Sequence, residues 1–306
     1  MDVCVHQIWA TVDGKVPVYV EWSVTSWRRH HRHVIWSYDV AALAVVLPPG
    51  THIADAAPLL PRAEFLALCD AADSKLTEHQ RRAVAADYLR ILVMRHVLAT
   101  TSSGVVAYVD ADILALRPLP CPTAAEGIIF TLHPAKRAGA MAPQRRESSD
   151  VANSTLPPQN DDECFTVMDG RDHFTNALWI MRAGDVRVID FVGRLTKPSR
   201  RYNTAMHTAN DVRQEMRLGR VLPAALAHPL PWFNMAHTRH AGSAAGFWTY
   251  GTYIPSAQSI LAASFAVHVY GSKWTTDTLA APMPPTSMMA VLLSAVKNAG
   301  QTGATE

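Results

Sequence analysis

Two aspartates separated by one residue, Asp110 and Asp112, are the strongest chemical signal in the sequence. They follow a short run of β-branched and apolar residues, 104–109, which predicts a buried strand. Carboxylates two residues apart at the end of a strand can turn toward one ion, and open α/β sheets bind their ligands at this edge. Carboxylate oxygens suit Mg²⁺ or Mn²⁺. The pattern predicts a divalent cation site, whereas Asp-X-Asp without this context is a short and common string.

An α/β sheet must position these aspartates, because the first two-thirds of the chain alternates short apolar runs with helical patterns. The first two strands, joined by a helix, form a βαβ unit. Thr77 or Ser74 is expected to cap the long helix that precedes the Asp-X-Asp strand. The predicted strands are residues 3–9, 33–38, 104–109, 127–132 and 177–181, and the predicted helices are residues 18–29, 61–70, 77–99, 185–195 and 288–296.

Composition limits the possible classes of protein. The chain has 306 residues, of which 49% are hydrophobic and 18% charged, so it can bury a sizeable core. The formal net charge of +2 gives no electrostatic reason to expect a nucleic acid or an anionic membrane as partner. Walker, HExxH and GxGxxG motifs do not occur in a supporting context.

Cysteine usage and the N-terminus favour a cytoplasmic protein. The cysteines are far apart in sequence and are expected to be reduced thiols. The opening segment, MDVCVHQIW, lacks the basic and apolar regions of a signal peptide. Apolar stretches such as residues 40–48 fall short of the roughly 20 residues of a membrane span. The four cysteines are Cys4, Cys69, Cys121 and Cys164.

A basic cluster at residues 28–33, RRHHRH, invites a metal-site or nucleic-acid interpretation. Consecutive histidines beside arginines repel a cation, however, and positive charge is favoured at a helix C-terminus. We therefore expect a solvated helix end.

The region around the aspartates resembles the Asp-X-Asp sugar-binding region of a glycosyltransferase family. Its pattern is a helix with DYLR at residues 87–90, a turn containing Gly104, and YVDAD at residues 108–112. Members of the family include fungal initiating mannosyltransferases, capsular polysaccharide transferases and, more distantly, the large clostridial glucosylating toxins.

Other segments match the same family in the expected order. They are VHQIW at residues 5–9, Ser26-Trp27, IWSYD at residues 35–39, and His268 followed by SKW at residues 272–274. The resemblance covers residues 3–132 well and the remainder in patches. Residues 134–170, rich in polar and charged side chains without periodicity, have no counterpart in it and are expected to form a long loop.

The resemblance implies a GT-A-like fold, a Rossmann-type nucleotide-binding sheet with helical additions and a C-terminal lid segment. The chain would be one domain, 1–306. Residues 1–132 would form the nucleotide-sugar-binding half, 133–170 a loop or insertion, 171–281 the acceptor side and lid, and 282–306 a C-terminal tail.

The resemblance also implies roles for residues near the donor. Trp9 would stack on the nucleotide base, with the backbone near Ile8 bonding the base edge; alternatively, Trp9 fills the core. Asp87 and Arg90, three residues apart on one helix face, would grip sugar hydroxyls and phosphate, or form a structural ion pair. Tyr108 shares a strand face with Asp110 and would touch the donor or simply pack.

The remaining candidates come from the C-terminal half. His268 is a candidate metal ligand beside Asp110 and Asp112, with a purely structural histidine as the alternative. Asn176 would lie near the reaction centre or cap a turn. Two residues resemble phosphate-binding positions on a closing loop, Ser272 and Trp274.

The predicted function is a metal-dependent, retaining glycosyltransferase, expected to be a hexosyltransferase. Its cofactor would be Mn²⁺ or Mg²⁺ and its donor a nucleotide sugar, with a UDP-sugar favoured over GDP-mannose. The acceptor would be a glycan, with a protein or lipid-linked acceptor as alternatives. Two other classes stay open, a metal-dependent phosphohydrolase or nucleotidyltransferase, and a non-catalytic nucleotide- or glycan-binding module on the same fold.

Overall fold

A computed structural model describes residues 2–10, 14–132, 174–195, 204–222, 264–269, 290 and 292–294. Its centre is a seven-stranded sheet with the order β3-β2-β1-β4-β7-β6-β8. Strands β3, β2, β1 and β4 are mutually parallel, and β7 pairs antiparallel with both β4 and β6. The strands are β1 (Val3–Ile8), β2 (Arg32–Ser37), β3 (His52–Asp55), β4 (Val105–Val109), β6 (Ile128–Leu132), β7 (Phe174–Arg182) and β8 (Arg220–Leu222).

A second sheet of two short strands lies beside the first. Strand β5 (Ile113–Ala115) pairs antiparallel with β9 (Ala266–His268), with Ile113 opposite His268. The helices are α1 (Val18–Trp27), α2 (Val40–Val46), α3 (Arg62–Ala71), α4 (Glu78–Thr100), α5 (Val186–Arg194) and α6 (Thr204–Met216). These elements confirm the predicted α/β class and the opening βαβ unit.

Local sequence explains where the longest helix begins. The Thr77 side chain accepts a hydrogen bond from the backbone N–H of Gln80, and the Gln80 side chain accepts one from the N–H of Thr77. This reciprocal capping box satisfies N–H groups that have no partner inside the helix. The predicted cap at Thr77 is confirmed.

The period of two along the strands separates the core into two faces. Val106 and Tyr108 of β4 join a cluster formed with α3, α4 and α5. The alternate residues, including Val105 and Val109, pack with Trp27 of α1 on the other face. Residues that follow β4 therefore meet α4 on one side and α1 on the other.

The sequence predictions missed several short elements and helix α6, and two of the missed elements, α2 and β3, flank the predicted loop around residues 48–50. Helix α2 is capped by Asp39, whose Oδ1 accepts a hydrogen bond from the N–H of Ala42 at 3.0 Å. Among the described strands, β3 pairs only with β2 and lies at the edge of the sheet. With four residues, β3 is too short to show a hydrophobic period of its own.

The basic cluster at residues 28–33 matches the expected solvated helix end only in part, because Arg29 and Arg32 are exposed while other members contact the interior. His33 is buried, and His31 Nε2 accepts a hydrogen bond from the N–H of Leu119 at 2.9 Å. The Arg28 guanidinium donates to the carbonyl oxygen of Pro48 at 3.2 Å and to Thr51 Oγ1 at 2.9 Å. Side chains from this segment thus form hydrogen bonds within the fold, because the chain turns directly into β2.

Among the described residues, Cys4, Cys69 and Cys121 are free thiols, as expected, and Cys164 lies outside them. No helix in the described part of the chain is both long enough and apolar enough to cross a bilayer. The predicted loop at residues 134–170 also lies outside the described residues.

Candidate metal centre

A tight turn at the end of β4 carries the two aspartates. The N–H of Asp110 donates to the carbonyl of Ala177 in β7 at 2.8 Å, which continues the strand pairing by one residue. The N–H of Ile113 then donates back to the carbonyl of Asp110 at 3.1 Å. This bond closes a turn with Asp112 in it and leads the chain into β5.

The short β5–β9 ladder brings His268 to the same turn. The N–H of Val269 donates to the carbonyl of Asp112 at 2.8 Å, and His268 Nε2 lies 3.1 Å from Asp112 Oδ1. One potential ligand atom from each of Asp110, Asp112 and His268 lies within 4.8 Å of the others. The structure therefore brings together the three residues predicted as metal ligands.

The chemistry of this donor set fits a divalent cation. Two carboxylates and one imidazole supply hard oxygen and borderline nitrogen ligands, a mixture compatible with Mn²⁺. Arg90 pairs with Asp87 and Asp110 while Asp112 lies beside His268, so three carboxylates are accompanied by one permanently charged cation. A divalent cation would neutralise that excess.

Arg90 of α4 is the counter-charge of the turn. Its Nη2 lies 2.9 Å from Asp110 Oδ1 and 3.1 Å from Asp87 Oδ1, and only 7% of its side chain is exposed. The guanidinium also lies over the ring of Tyr108, 4.5 Å from its centroid. The Tyr108 hydroxyl donates to the same Asp110 Oδ1 at 2.7 Å. Both bonds converge on one oxygen of Asp110, and the carboxylate has a second oxygen with which it could bind an ion.

Burial and charge shift the pKa values of these groups in a consistent way. Burial raises the pKa of Asp87 to about 6 and outweighs the effect of Arg90. Burial also raises the pKa of Asp110, and the nearby carboxylate of Asp112 adds to that rise. Burial lowers the pKa of His268, but the carboxylate and hydrogen bond of Asp112 outweigh it and leave the pKa raised. Without an ion, these shifts favour the protonated forms of Asp87, Asp110 and His268.

The aromatic candidate at the end of β1 lies at the same edge of the sheet. Trp9 is half-buried, its Nε1 donates to the carbonyl of Lys15 at 3.1 Å, and its ring meets that of Tyr19 edge to face at 6.1 Å. Ile8 is buried. Part of the Trp9 ring is thus free of the core packing that fully covers Trp27.

Of the other candidates from the C-terminal half, the structure describes Asn176 but not Ser272 or Trp274. Asn176 lies in β7, two residues from the point where Leu178 pairs with Val109. Ser272 and Trp274 lie outside the described residues. Their predicted roles stay predictions.

Sequence reasoning missed several residues beside the turn. Tyr19, buried in the first turn of α1, has its pKa raised by burial and by the charge of Asp112. Gln7 and Ser23, both fully buried, bond to the turn from the α1 side. A usable signal was present for Gln7, because a polar side chain inside an apolar strand must find a partner.

Comparison with known proteins finds no matching family model and no matching curated protein. Among solved structures, the chain is similar to mouse xyloside xylosyltransferase 1 in its apo form. The TM-score is 0.46 and the sequence identity 14%, over 90% of this chain and 100% of that chain. At that TM-score the similarity carries no functional assignment.

Proposed function

We propose that this chain is a metal-dependent glycosyltransferase that takes a sugar from a nucleotide-sugar donor. The observation that carries the proposal is the Asp110–Asp112–His268 cluster, within 4.8 Å and beside a buried arginine. The motifs that resemble the Asp-X-Asp glycosyltransferase family supply the class of reaction.

The position of the cluster supports a nucleotide ligand. From β1 the chain adds β2 and then β3 on one side of the sheet. It then returns and places β4 on the other side of β1. The crevice at such a switch in strand order is where open α/β sheets bind their ligands. Trp9 follows β1 and Asp110 follows β4, so a base at Trp9 and a diphosphate at the cluster would occupy one crevice.

Each residue near the cluster has a chemical task in this proposal. A divalent cation held by Asp110, Asp112 and His268 would neutralise the diphosphate as it leaves the anomeric carbon. Arg90 holds the Asp110 carboxylate in place and brings positive charge to the same crevice. Asp87 would accept hydrogen bonds from hydroxyls of the donor sugar.

The finer features of the reaction rest on the family resemblance. We propose a UDP-sugar in preference to GDP-mannose, hexosyl transfer to a glycan acceptor, and retention of anomeric configuration. Because the sequence offers no obvious nucleophile, transfer would occur on the front face, with the departing diphosphate stabilised by cationic groups. Asn176, Ser272 and Trp274 would complete the site around the reacting sugar. The ion would be Mn²⁺ in preference to Mg²⁺, since one ligand is an imidazole.

The donor set argues against the alternatives. A phosphohydrolase or nucleotidyltransferase would use a further carboxylate as a direct ligand of the ion, or a nucleophile, beside the paired aspartates. Among the described residues the third member of the cluster is His268 instead. The intact pair of aspartates also argues against a binding module that has lost turnover.

The test is release of nucleoside diphosphate from a panel of UDP- and GDP-sugars, with Mn²⁺ or with EDTA. We expect release from one donor that depends on Mn²⁺, and NMR of the product would then give the anomeric configuration. Calorimetric titration of UDP and GDP with Mn²⁺ is the companion measurement, because it needs no acceptor. Failure of both nucleotides to bind would contradict the proposal.

A further inference from the structure

The turn that carries the aspartates is held from the α1 side by a chain of buried, uncharged hydrogen bonds. Gln7 Nε2 donates to the carbonyl oxygen of Asp110 at 3.0 Å and to Ser23 Oγ at 2.8 Å. Ser23 Oγ in turn donates to the carbonyl oxygen of Ile113 at 2.6 Å. Gln7 and Ser23 are both 0% exposed, so water does not replace these bonds.

The direction of every bond in this chain is fixed. A carbonyl oxygen only accepts, so the Gln7 amide must present its NH₂ group to Asp110 and its oxygen to His33. His33 Nε2, 2.8 Å from Gln7 Oε1, must therefore carry the proton and donate it. Trp27 Nε1 donates a second bond to the carbonyl of Ile113 at 2.8 Å.

Gln7 contacts the backbone of the first ligand without contacting the ion. The carbonyl of Asp110 accepts from Gln7 and from the N–H of Ile113, and this pair of bonds sets the path of the turn between them. Asp112 lies inside that turn, so the separation of the two carboxylates depends on it. Outer-shell partners of metal ligands affect affinity in this way by orienting the ligands.

We propose that Gln7 is a positioning residue for the metal centre, setting the separation of Asp110 and Asp112 through the Asp110 carbonyl. This inference rests on the proposed function for the presence of the ion. It assigns to Gln7 no contact with donor or acceptor.

Two substitutions test the proposal in the full chain. Gln7→Met keeps the approximate volume and removes the bond to Asp110, and Ser26→Ala is the matched control. Ser26 is also 0% exposed, and its Oγ accepts from the N–H of Ala115 at 2.8 Å and donates to the carbonyl of Ser23 at 2.7 Å. The control thus removes an equally buried hydroxyl that bonds to the chain after the turn.

The first measurement is Mn²⁺ affinity, by calorimetry or by electron paramagnetic resonance of the free ion, at a temperature where each variant is folded. We expect Gln7→Met to weaken Mn²⁺ binding roughly tenfold, the lower end of outer-shell effects. Ser26→Ala should change it less than about twofold, since it leaves the bonds of Asp110 intact. A lower melting temperature with unchanged Mn²⁺ affinity in Gln7→Met would show a merely structural role and overturn the proposal.

The second measurement, residue-resolved amide hydrogen exchange in metal-free protein, does not depend on the ion. Gln7→Met should accelerate exchange at Ile113, and Ser26→Ala should accelerate it at Ala115 instead. Unchanged exchange at Ile113 in Gln7→Met would overturn the positioning role. If Gln7→Met does not fold, Ser23→Ala replaces it, with the same expected direction at Ile113 and in Mn²⁺ affinity.

Failure of the proposed function gives a different result. A wild-type protein that binds no Mn²⁺ overturns the function, and the positioning role with it. A wild type that binds Mn²⁺, beside a Gln7→Met variant that binds it equally well, overturns the positioning role alone.

Discussion

The turn from Asp110 to Ile113 is held from two sides by chemically opposite means. On the α4 side, Arg90 and Tyr108 bind the carboxylate of Asp110 through a charged and a charge-assisted hydrogen bond. On the α1 side, the neutral side chains of Gln7, Ser23 and Trp27 bind the turn through its backbone carbonyls alone.

The difference separates two tasks that a metal centre needs. Charged groups act on the side-chain atoms whose protonation and ionic contacts must change when an ion or phosphate binds. Neutral, fully buried groups act on the backbone, which must not move. Because a buried charge without a partner is costly, an ionic support tolerates substitution poorly. A neutral support contributes less energy per bond but keeps its geometry over a wide range of pH.

Replacing a proposed ligand should have the largest effect. Asp110→Asn and Asp112→Asn each remove a charged oxygen from the ion, and we expect turnover to fall by more than about a hundredfold, beyond outer-shell effects. The rate of nucleoside diphosphate release in the presence of Mn²⁺ measures this turnover. Asp190→Asn is the control, an exposed aspartate paired with Arg194 on α5. Undiminished turnover in both variants would remove the metal-site assignment.

Replacing the ionic support should come second. Arg90→Met leaves the partly buried Asp87 and Asp110 without their cation, and loss of one member of a buried pair costs about 3 kcal/mol of unfolding free energy. Chemical denaturation measures this cost, and Mn²⁺-dependent turnover should fall as well. Arg95→Met, on an exposed position of the same helix, should change neither quantity appreciably. Equal stability of the two variants would mean that the ion pairs of Arg90 do not contribute to the free energy of unfolding.

Removing one hydroxyl from the ionic side should have a moderate effect. Tyr108→Phe keeps the ring under Arg90 but deletes the 2.7 Å bond to Asp110, and Mn²⁺ affinity should fall about tenfold. Tyr88→Phe, half-buried on α4, is the control. Calorimetric titration of Mn²⁺ distinguishes the two. Identical dissociation constants would show that the hydroxyl has no influence on the ligand.

On the neutral side, His33 should contribute to the pH dependence of the free energy of unfolding. Burial lowers the pKa of His33 from 6.5 to about 3, so the folded protein keeps His33 neutral while the unfolded chain gains a proton below pH 6.5. The contribution of neutral His33 to the free energy of unfolding is fully present above pH 6.5. It is lost as pH falls toward 3, by about 1.4 kcal/mol per pH unit.

His33→Gln should flatten this slope, because glutamine can still donate to Gln7 and does not titrate. Denaturation curves between pH 5 and pH 7 measure the slope, and His52→Gln, at an exposed position of β3, serves as control. A slope unchanged by His33→Gln but reduced by His52→Gln would contradict the assignment.

Much of the framework was predictable from the sequence because it depends on local signals. The apolar run before Asp110, the period of α4 and the cap at Thr77 are each contained in a few consecutive residues. The residues of the proposed metal centre were also named correctly as neighbours, through motifs in the family resemblance. Their roles stay predictions.

The neutral support of the turn could not be predicted in the same way. The bond from Gln7 to Asp110 joins positions 103 apart, and that from Ser23 to Ile113 joins positions 90 apart. No local pattern specifies which buried carbonyl a polar side chain will meet. His33 was assigned to a solvated helix end for the same reason, since its burial depends on β1 and α1 packing around it.

The short β5–β9 ladder has a consequence for how the protein matures. It joins Ile113 to His268, so about half of the chain separates the third proposed ligand from the first two. A ribosome delivers the N-terminal sheet long before β9, and contacts of such long sequence separation form slowly. The two aspartates are therefore synthesised well before their imidazole partner, and the complete set of proposed ligands would form only late in synthesis.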